Sequence, residues 1–437
     1  MDSIAAEEII SEWHEKKIPD LIEREIDFEL PETGNAVAVI GPRRAGKSFF
    51  LYDIIYNRLD VDLEDTLLIN LEDHRFGIPD KKDLDTILTT YYGIYPEKDD
   101  KRAYIFFDEV QNVEGWESYI RSIMDRYNAT VFISGSSSKL LSREIATSMR
   151  GRSISYLVMP FSFREFLSVK EYRISRSSKR KSLMLQRLKE YLRYGGFPDV
   201  VLEKEEMIKR KLLRGYVEVM LFRDVVERYE IKHVKVLKLL MKQMMASTAN
   251  SLSINKFYGF LKSQRIRIDK NTIYEYKDRL VDAFGFILLK RIDGSFRTIE
   301  QGKPKIYPID TGYMTDYGQD LDNNMGRYME TCVAVELRRR IEEEPGQDMH
   351  FWRENSEIDF VISDEEKVET LIQVCYDIED EKTLQREIKG LIDGSKDLGC
   401  EDLLLLNWNK EYEVKVNERI VKVMPLWSWL VESRNCY

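Results

Sequence analysis

The chain has 437 residues, 43% hydrophobic, 11% aromatic and 33% charged, with 67 basic against 77 acidic side chains for a net charge of −10. This composition excludes collagen-like and low-complexity chains and argues against global disorder, and at roughly 150 residues per domain the length suggests about three domains. No apolar run approaches the roughly 20 residues of a transmembrane helix, the opening MDSIAAEEIISEWHEKK has no apolar signal-peptide core, and the acidic total taken alone counts against a general nucleic-acid binder.

In chain order, four short apolar runs rich in β-branched residues come first: Ala36–Ile40, Thr66–Leu71, Ala103–Phe107 and Thr130–Ser134. Continuous apolar runs of this length suit strands buried on both faces. The helical stretches between them make a βαβ rhythm and predict a parallel sheet. Residues 162–250 are expected to be mostly helical, with long runs at Lys181–Arg193 and Met207–Arg228. Residues 253–300 suggest helix, turn, helix, strand, and a mixed α/β pattern returns from about 305. Cys332, Cys375, Cys400 and Cys436 form no CxxC pair, and with four His in the chain no zinc spacing arises. They are expected to be reduced small hydrophobes in a cytoplasmic protein.

The first strand runs into Gly41-Pro42-Arg43-Arg44-Ala45-Gly46-Lys47-Ser48, with Phe49 opening the helix that follows. This is the G-x-x-x-x-G-K-S phosphate loop in its required strand-to-helix context. Its glycines let backbone N–H groups turn inward onto phosphate oxygens, and the helix N-terminus adds partial positive charge. Lys47 is expected to reach the β- and γ-phosphates of ATP, and Ser48 to ligate Mg²⁺. The third strand ends in Asp108-Glu109, where Asp108 would hold the metal and Glu109 would polarise the attacking water. The fourth ends in Ser134-Gly135-Ser136-Ser137-Ser138, and Ser136 is assigned there as a γ-phosphate contact. A serine-rich helix cap is the alternative for that segment. Arg150 and Arg152 are finger candidates, against solvated loop arginines.

GPRRAGKS, FFDEVQNVEGWESYI, FISGSSSKLLS, GRSISYLVMPFSFREFL and YGGFPDVV, in that order, resemble a prokaryotic family of AAA-type P-loop ATPases common in archaea. KIYPIDTGYM, GRYMETCVAVEL and FWRENSEIDFVI resemble its C-terminal region. The resemblance implies an α/β fold with four parts: an ATPase core at 1–160, a helical extension at 161–230, a winged helix at 231–303, and a restriction-endonuclease-like domain at 304–437. For the winged helix, Ile254, Phe257 and Leu261 and then Ile273, Tyr276, Leu280 and Phe284 fall at helical spacing, and Asp293-Gly294 suits a wing turn. Lys262, Arg265, Arg267, Lys270 and Lys277 are expected exposed phosphate contacts. Docking of a protein is the alternative use of such a module.

Nucleases of the last fold use a helix carboxylate, a strand-end Asp and a Glu-x-Lys on the next strand, with carboxylates on Mg²⁺ and the Lys on water. The resemblance puts Glu330 and Asp359 at the first two positions, but Gln373 replaces the Glu and Cys375 the Lys. Nuclease chemistry is therefore expected to be lost while the fold persists. The leading expectation is a Mg-ATP-driven switch acting on DNA or a protein partner, with a homo-oligomer left open. An ATP-binding DNA regulator with little hydrolysis and a nuclease subunit are the alternatives. The charge is uneven: Lys170, Arg173, Arg176, Lys179, Arg180, Lys181, Arg187, Lys189 and Arg193 crowd residues 170–193, so a local DNA contact there is expected despite the acidic total.

Overall fold

The computed structural model describes residues 1–96, 101–136, 149, 151–171, 178–292, 303–344, 346–364 and 367–432. Ser137, Ser138, Arg150, Arg173, Arg176, Asp293, Gly294 and Cys436, and the side chains of Lys179 and Arg180, lie outside the described residues. The fold is α/β and divides into two compact units, Met1–Met159 and Pro160–Tyr437.

In the first unit the four expected strands form, as β1 (Ala36–Ile40), β2 (Thr66–Asn70), β3 (Ala103–Asp108) and β4 (Ala129–Gly135). A fifth strand, β5 (Ser153–Leu157), joins them. All pairings are parallel, in the order β2-β3-β4-β1-β5. β1 lies inside the sheet with all five residues buried, which is what an AVAVI run without a polar position requires. The sheet is flanked by α1 (Ser3–His14), α2 (Lys47–Asp53), α3 (Lys81–Ile94) and α4 (Trp116–Arg126). Phe50, Leu51 and Ile54 of the α2 segment bury against Val37, Val39, Phe106 and Phe132. The rings of Phe106 and Phe132 stack at 4.2 Å, an aromatic contact between neighbouring strands.

α2 runs on into a π-helical turn, Ile54–Arg58. That turn presents Arg58 to the segment before β1: its guanidinium bonds Asp53 at 2.8 Å, Ile26 O at 3.0 Å and Arg24 O at 3.3 Å. Phe28 packs edge-on against Phe50 at 6.3 Å. The irregular segment 16–34 is thus strapped along the phosphate-loop helix, with two of its carbonyls, Arg24 O and Ile26 O, satisfied by Arg58.

The second unit opens with helices Phe163–Val169, Ser178–Tyr194, Pro198–Leu202, Glu206–Val219 and Val234–Ala246. The helix pair Ile254–Ser263 and Lys270–Asp282 follows. Its Ile254, Phe257, Leu261, Ile273, Tyr276 and Leu280 are buried, so the spacing found in the sequence marks the inward stripe. A nine-stranded mixed sheet completes the unit, built from β6 (Asn250–Ser251), β7 (Phe286–Ile292), β8 (Lys305–Pro308), β9 (Asp348–Arg353), β10 (Glu357–Ser363), β11 (Val368–Val374), β12 (Leu403–Asn407), β13 (Tyr412–Val416) and β14 (Arg419–Pro425). β9, β10 and β11 form an antiparallel meander, and β12 lies parallel to β11. β7 pairs antiparallel with β8 and parallel with β9. The expected boundary between residues 303 and 304 therefore falls between two paired strands. No helix among the described residues is long and apolar enough to cross a membrane.

Two of the quoted motifs meet at one buried carboxylate. Asp310 of KIYPIDTGYM accepts the Gly196 N–H of YGGFPDVV and the Gly312 N–H, each at 2.8 Å. The approach is tight: a Cβ on Gly195, whose φ is +74°, would sit 1.6 Å from Asp310 Oδ1, and one on Gly312 would sit 2.5 Å from Tyr194 O. Burial pushes the Asp310 carboxyl up to about 6, against the two backbone bonds and Arg339, which hold it down. A value raised above the unfolded 3.8 means that this group's contribution to stability is complete below about pH 4. It is lost as pH rises through about 6, a change of roughly 3 kcal/mol at 1.36 kcal/mol per unit. We expect urea unfolding of an Asp310→Asn protein to lack that slope, with a lower stability at pH 4 because an amide cannot accept both N–H groups through two oxygens.

Candidate functional site

The phosphate loop has the backbone that its glycines allow. Gly41 has φ +148° and Gly46 φ +99°, and between them Arg44 takes φ +69°. A Cβ on Gly41 would lie 2.1 Å from Val158 O, so only glycine lets β1 turn away this close to the end of β5. Gly46 caps α2, whose first residues are Lys47, Ser48 and Phe49. Lys47 is buried, with Nζ 3.1 Å from Pro42 O and 4.0 Å from Glu109 Oε1. Arg43 lies beside Glu72 at 3.3 Å, and Arg44 is exposed. Pro42 and Ala45 are buried. Phe49 is half exposed, edge-on to Tyr52 at 5.9 Å, so its backbone and not its ring belongs to the loop.

Arg24 was not singled out in the sequence, yet it fixes the loop. It is buried, and its guanidinium donates to Ala45 O at 3.0 Å and Met159 O at 2.6 Å. One planar cation thus ties the loop to the chain just beyond β5.

Asp108 ends β3, buried beside the loop. Ser48 Oγ donates to its Oδ2 at 2.7 Å, and Ser134 Oγ donates to its Oδ1. The same Ser134 oxygen accepts the Glu109 N–H at 3.0 Å. Glu109 has φ +59°, a conformation uncommon for a residue with a side chain and one that concentrates at functional sites. Gln111 Nε2 donates to Glu109 Oε2. Burial drives the Asp108 carboxyl above the usual carboxylate range, against the Ser134 and Ser48 bonds. Burial also opposes the charge on Glu109, but Lys47, then Arg43, Gln111 and Ser136, outweigh it and hold that carboxyl below its ordinary value. Ser136 is buried beside Glu109, with its hydroxyl otherwise without a hydrogen bond. At the strand end, Ser134 bonds Asp108 and the Glu109 N–H, and Ser136 lies at the Glu109 carboxylate. Arg152 pairs with Asp125 on the surface at 2.6 Å.

Among the other expected contacts, Lys262, Arg265 and Arg267 are exposed. Lys270 and Lys277, expected to be exposed, are half-buried: both ammonium groups lie over the Tyr274 ring at 5.7 Å, and Lys277 pairs with Asp278. Within the basic run at 170–193, the described cations have partners. Lys170 and Arg187 pair with Glu190, Lys189 and Arg193 with Asp322, and Lys181 donates to Asn409 O. These cations make contacts within the second unit, while helix 178–194 keeps exposed side chains such as Ser182 and Gln186.

Three of the four residues mapped onto a nuclease site, Glu330, Asp359 and Gln373, are brought together, with a partner that the sequence reading missed. Lys305 of β8 is 1% exposed. Its Nζ lies 2.7 Å from Glu357 Oε1, 2.8 Å from Asp359 Oδ1 and 3.0 Å from Glu330 Oε1. Tyr307 OH also donates to Glu330 Oε1, at 2.7 Å. Asp359 Oδ2 accepts the Val374 N–H, Gln373 Oε1 accepts the Asp359 N–H, and Gln373 Nε2 donates to Glu387. Cys375 Sγ turns to Asp377 O at 3.3 Å. Burial, followed by Asp359, pushes the Glu330 carboxyl up to about 7, against Lys305 and Tyr307.

Residues 33–167 match a family described as an AAA domain. Residues 185–319 and 325–429 match two domains of unknown function, DUF8612 and DUF4143. The uncharacterized protein MJ1544 of Methanocaldococcus jannaschii is 35% identical over 412 residues, which cover 92% of this chain and 90% of that protein. An uncharacterized protein of Haemophilus influenzae is 27% identical over 355 residues, 80% of this chain and 85% of that one. Among solved structures, the Walker-type ATPase PABY2304 of Pyrococcus abyssi aligns with a TM-score of 0.46 and 13% identity, over 69% of this chain and 99% of that chain. The chain therefore belongs to the same family as MJ1544 of Methanocaldococcus jannaschii, and its residues 33–167 carry an AAA domain.

Proposed function

We propose that the protein binds and hydrolyses Mg-ATP and uses the cycle as a conformational switch on DNA or a protein partner. The observation that carries this reading is the chain of hydrogen bonds from Ser48 through Asp108 and Ser134 to Glu109, with the Lys47 ammonium beside it. The residues suit the ligands. Gly41 and Gly46 leave the two ends of the loop without side chains, and Ser48 with Asp108 is an oxygen pair of the kind a hard divalent ion takes. When bound, Mg²⁺ supplies positive charge to the phosphate oxygens. In this reading the loop N–H groups and Lys47 hold the phosphates. Glu109, kept ionised by Lys47 and Arg43, orients a water and takes its proton, and Gln111 keeps that carboxylate aimed. Ser136 is in place to meet a γ-phosphate oxygen. The buried cysteines, Cys332 and Cys400, neither of them in a disulfide, suit the cytoplasm.

A second reading, an ATP-binding DNA regulator with little hydrolysis, is favoured by the exposed Lys262, Arg265 and Arg267 at the end of the first helix of the pair and in the turn that follows it. In either reading residues 231–303 act as a winged helix and residues 304–437 as a nuclease-like domain, after the helical extension at 161–230. A DNA affinity that falls steeply with salt, and changes when ATP is added, would support the DNA arm; an affinity indifferent to both leaves a protein as the partner.

ATP turnover tests the site. Glu109→Gln should keep ATP affinity while turnover falls about 10²- to 10⁴-fold, the range for a positioned base; turnover equal to the parent's would remove Glu109 from its role. Lys47→Ala should abolish ATP binding measured by calorimetry. Arg24→Lys should weaken ATP binding without touching a ligand, since one ammonium cannot serve both carbonyls. Losing one charge-assisted bond costs about 1.5–3 kcal/mol, and the loss should appear as a lower thermal midpoint that excess ATP partly restores.

A further inference from the structure

The Lys305 cluster is the strongest arrangement among the described residues that nucleotide chemistry leaves unused. Three carboxylates from two elements converge on one point: Glu330 from helix Met325–Glu343, and Glu357 and Asp359 from β10. The point is filled by an ammonium with three N–H groups, at 2.7–3.0 Å from one oxygen of each carboxylate. The remaining polar groups are taken as well. Asp359 Oδ2 has the Val374 N–H, and Gln373, which stands where a third metal-binding carboxylate is expected, has the Asp359 N–H and Glu387. A hard divalent cation asks for about six oxygens at about 2.1 Å. An ammonium asks for three acceptors at hydrogen-bond distance, and that is what the site offers.

We propose that Lys305 is the resident cation of this carboxylate nest: the ammonium occupies the place of a divalent metal, so that the site holds its charge without one and performs no metal-dependent hydrolysis. The lysine comes from β8, paired with β7, and its partners come from β10 and helix Met325–Glu343. The ammonium therefore also joins β8 to the rest of the sheet. With positive charge delivered from β8, a carboxylate at 373 and a lysine at 375 have nothing left to do, which accounts for Gln373 and Cys375.

The test uses full-length, nucleotide-free protein, with Mn²⁺ as the probe. Mn²⁺ binding, thermal unfolding with and without Mn²⁺ or EDTA, and cleavage of plasmid DNA are measured for the parent, Lys305→Met, and Lys305→Met with Asp359→Asn. Lys305→Met keeps the volume and removes the charge. We expect its midpoint to fall, Mn²⁺ to restore part of the loss, and Mn²⁺ uptake to exceed the parent's; the double variant should lose that gain. The parent's midpoint should not respond to EDTA. The proposal fails if Lys305→Met gains no Mn²⁺, or if the parent cuts DNA with Mn²⁺ and loses that activity in Lys305→Met. Should Lys305→Met not fold, Asp359→Asn against the parent decides: equal Mn²⁺ uptake supports a nest already filled, and lower uptake in Asp359→Asn overturns it.

Discussion

A carboxylate buried at the end of a strand must be held by hydrogen bonds or give up its charge, and Asp108 is held by two hydroxyls from different elements. Ser48 comes from the phosphate-loop helix and Ser134 from the end of β4. The bond to Ser134 also fixes the backbone of Glu109, because the same oxygen accepts its N–H. The loop, the acidic pair and the strand end beyond it are thereby one hydrogen-bonded body. Asp108 and Glu109 are adjacent, yet their environments push them in opposite directions, Asp108 up and Glu109 down. The difference comes from Lys47 and Arg43, whose charges reach Glu109 more strongly. One fold position thus separates the group suited to hold a metal from the group suited to stay ionised beside a water.

The second unit meets the same constraint with different partners. Asp310 is satisfied by two backbone amides, Lys305 by three carboxylates, and Glu336 by Arg339 and Arg340. Arg340 also donates to Trp429 O and lies over its ring at 4.2 Å, while Arg339 donates to Pro160 O at 2.8 Å. Buried ions of this kind add little net stability after desolvation, but removing one partner is costly. Their value lies in geometry. Each joins segments far apart in sequence: residues 196 and 310, residues 305 and 359, residues 160 and 339. In a sheet whose strands come from residues 250 to 425, such pairs specify which segments meet.

The parts of the fold legible in the sequence were those whose signal is local. AVAVI, TLLIN and the runs at 103 and 130 announced buried strands because a strand covered on both faces has no polar side. GPRRAGKS announced the loop because its glycines and lysine act within eight residues. Ile254, Phe257 and Leu261 marked a helix face because 3.6 residues make a turn. The strand at 153–157 was less legible: SISYL is only partly buried, as suits a sheet edge. The role of Ser134 was not legible, because spacing along a serine run does not say which hydroxyl bonds Asp108. The pairing of Lys189 and Arg193 with Asp322 was not legible in the basic run at 170–193, since Asp322 lies more than 120 residues on.

The sequence by itself determined the parallel sheet, the phosphate loop, the Asp108-Glu109 pair and the helix pair, because apolar periodicity and short motifs are properties of neighbouring residues. Only the tertiary structure decided that Arg24 holds the loop, that Ser134 bridges Asp108 and the Glu109 N–H, that β7 and β8 merge with the C-terminal sheet, and that Lys305 sits among Glu330, Glu357 and Asp359. The reason is the same in each case. A buried charge or backbone carbonyl needs a partner in space, and nothing in the spacing along the chain says which distant residue will supply it.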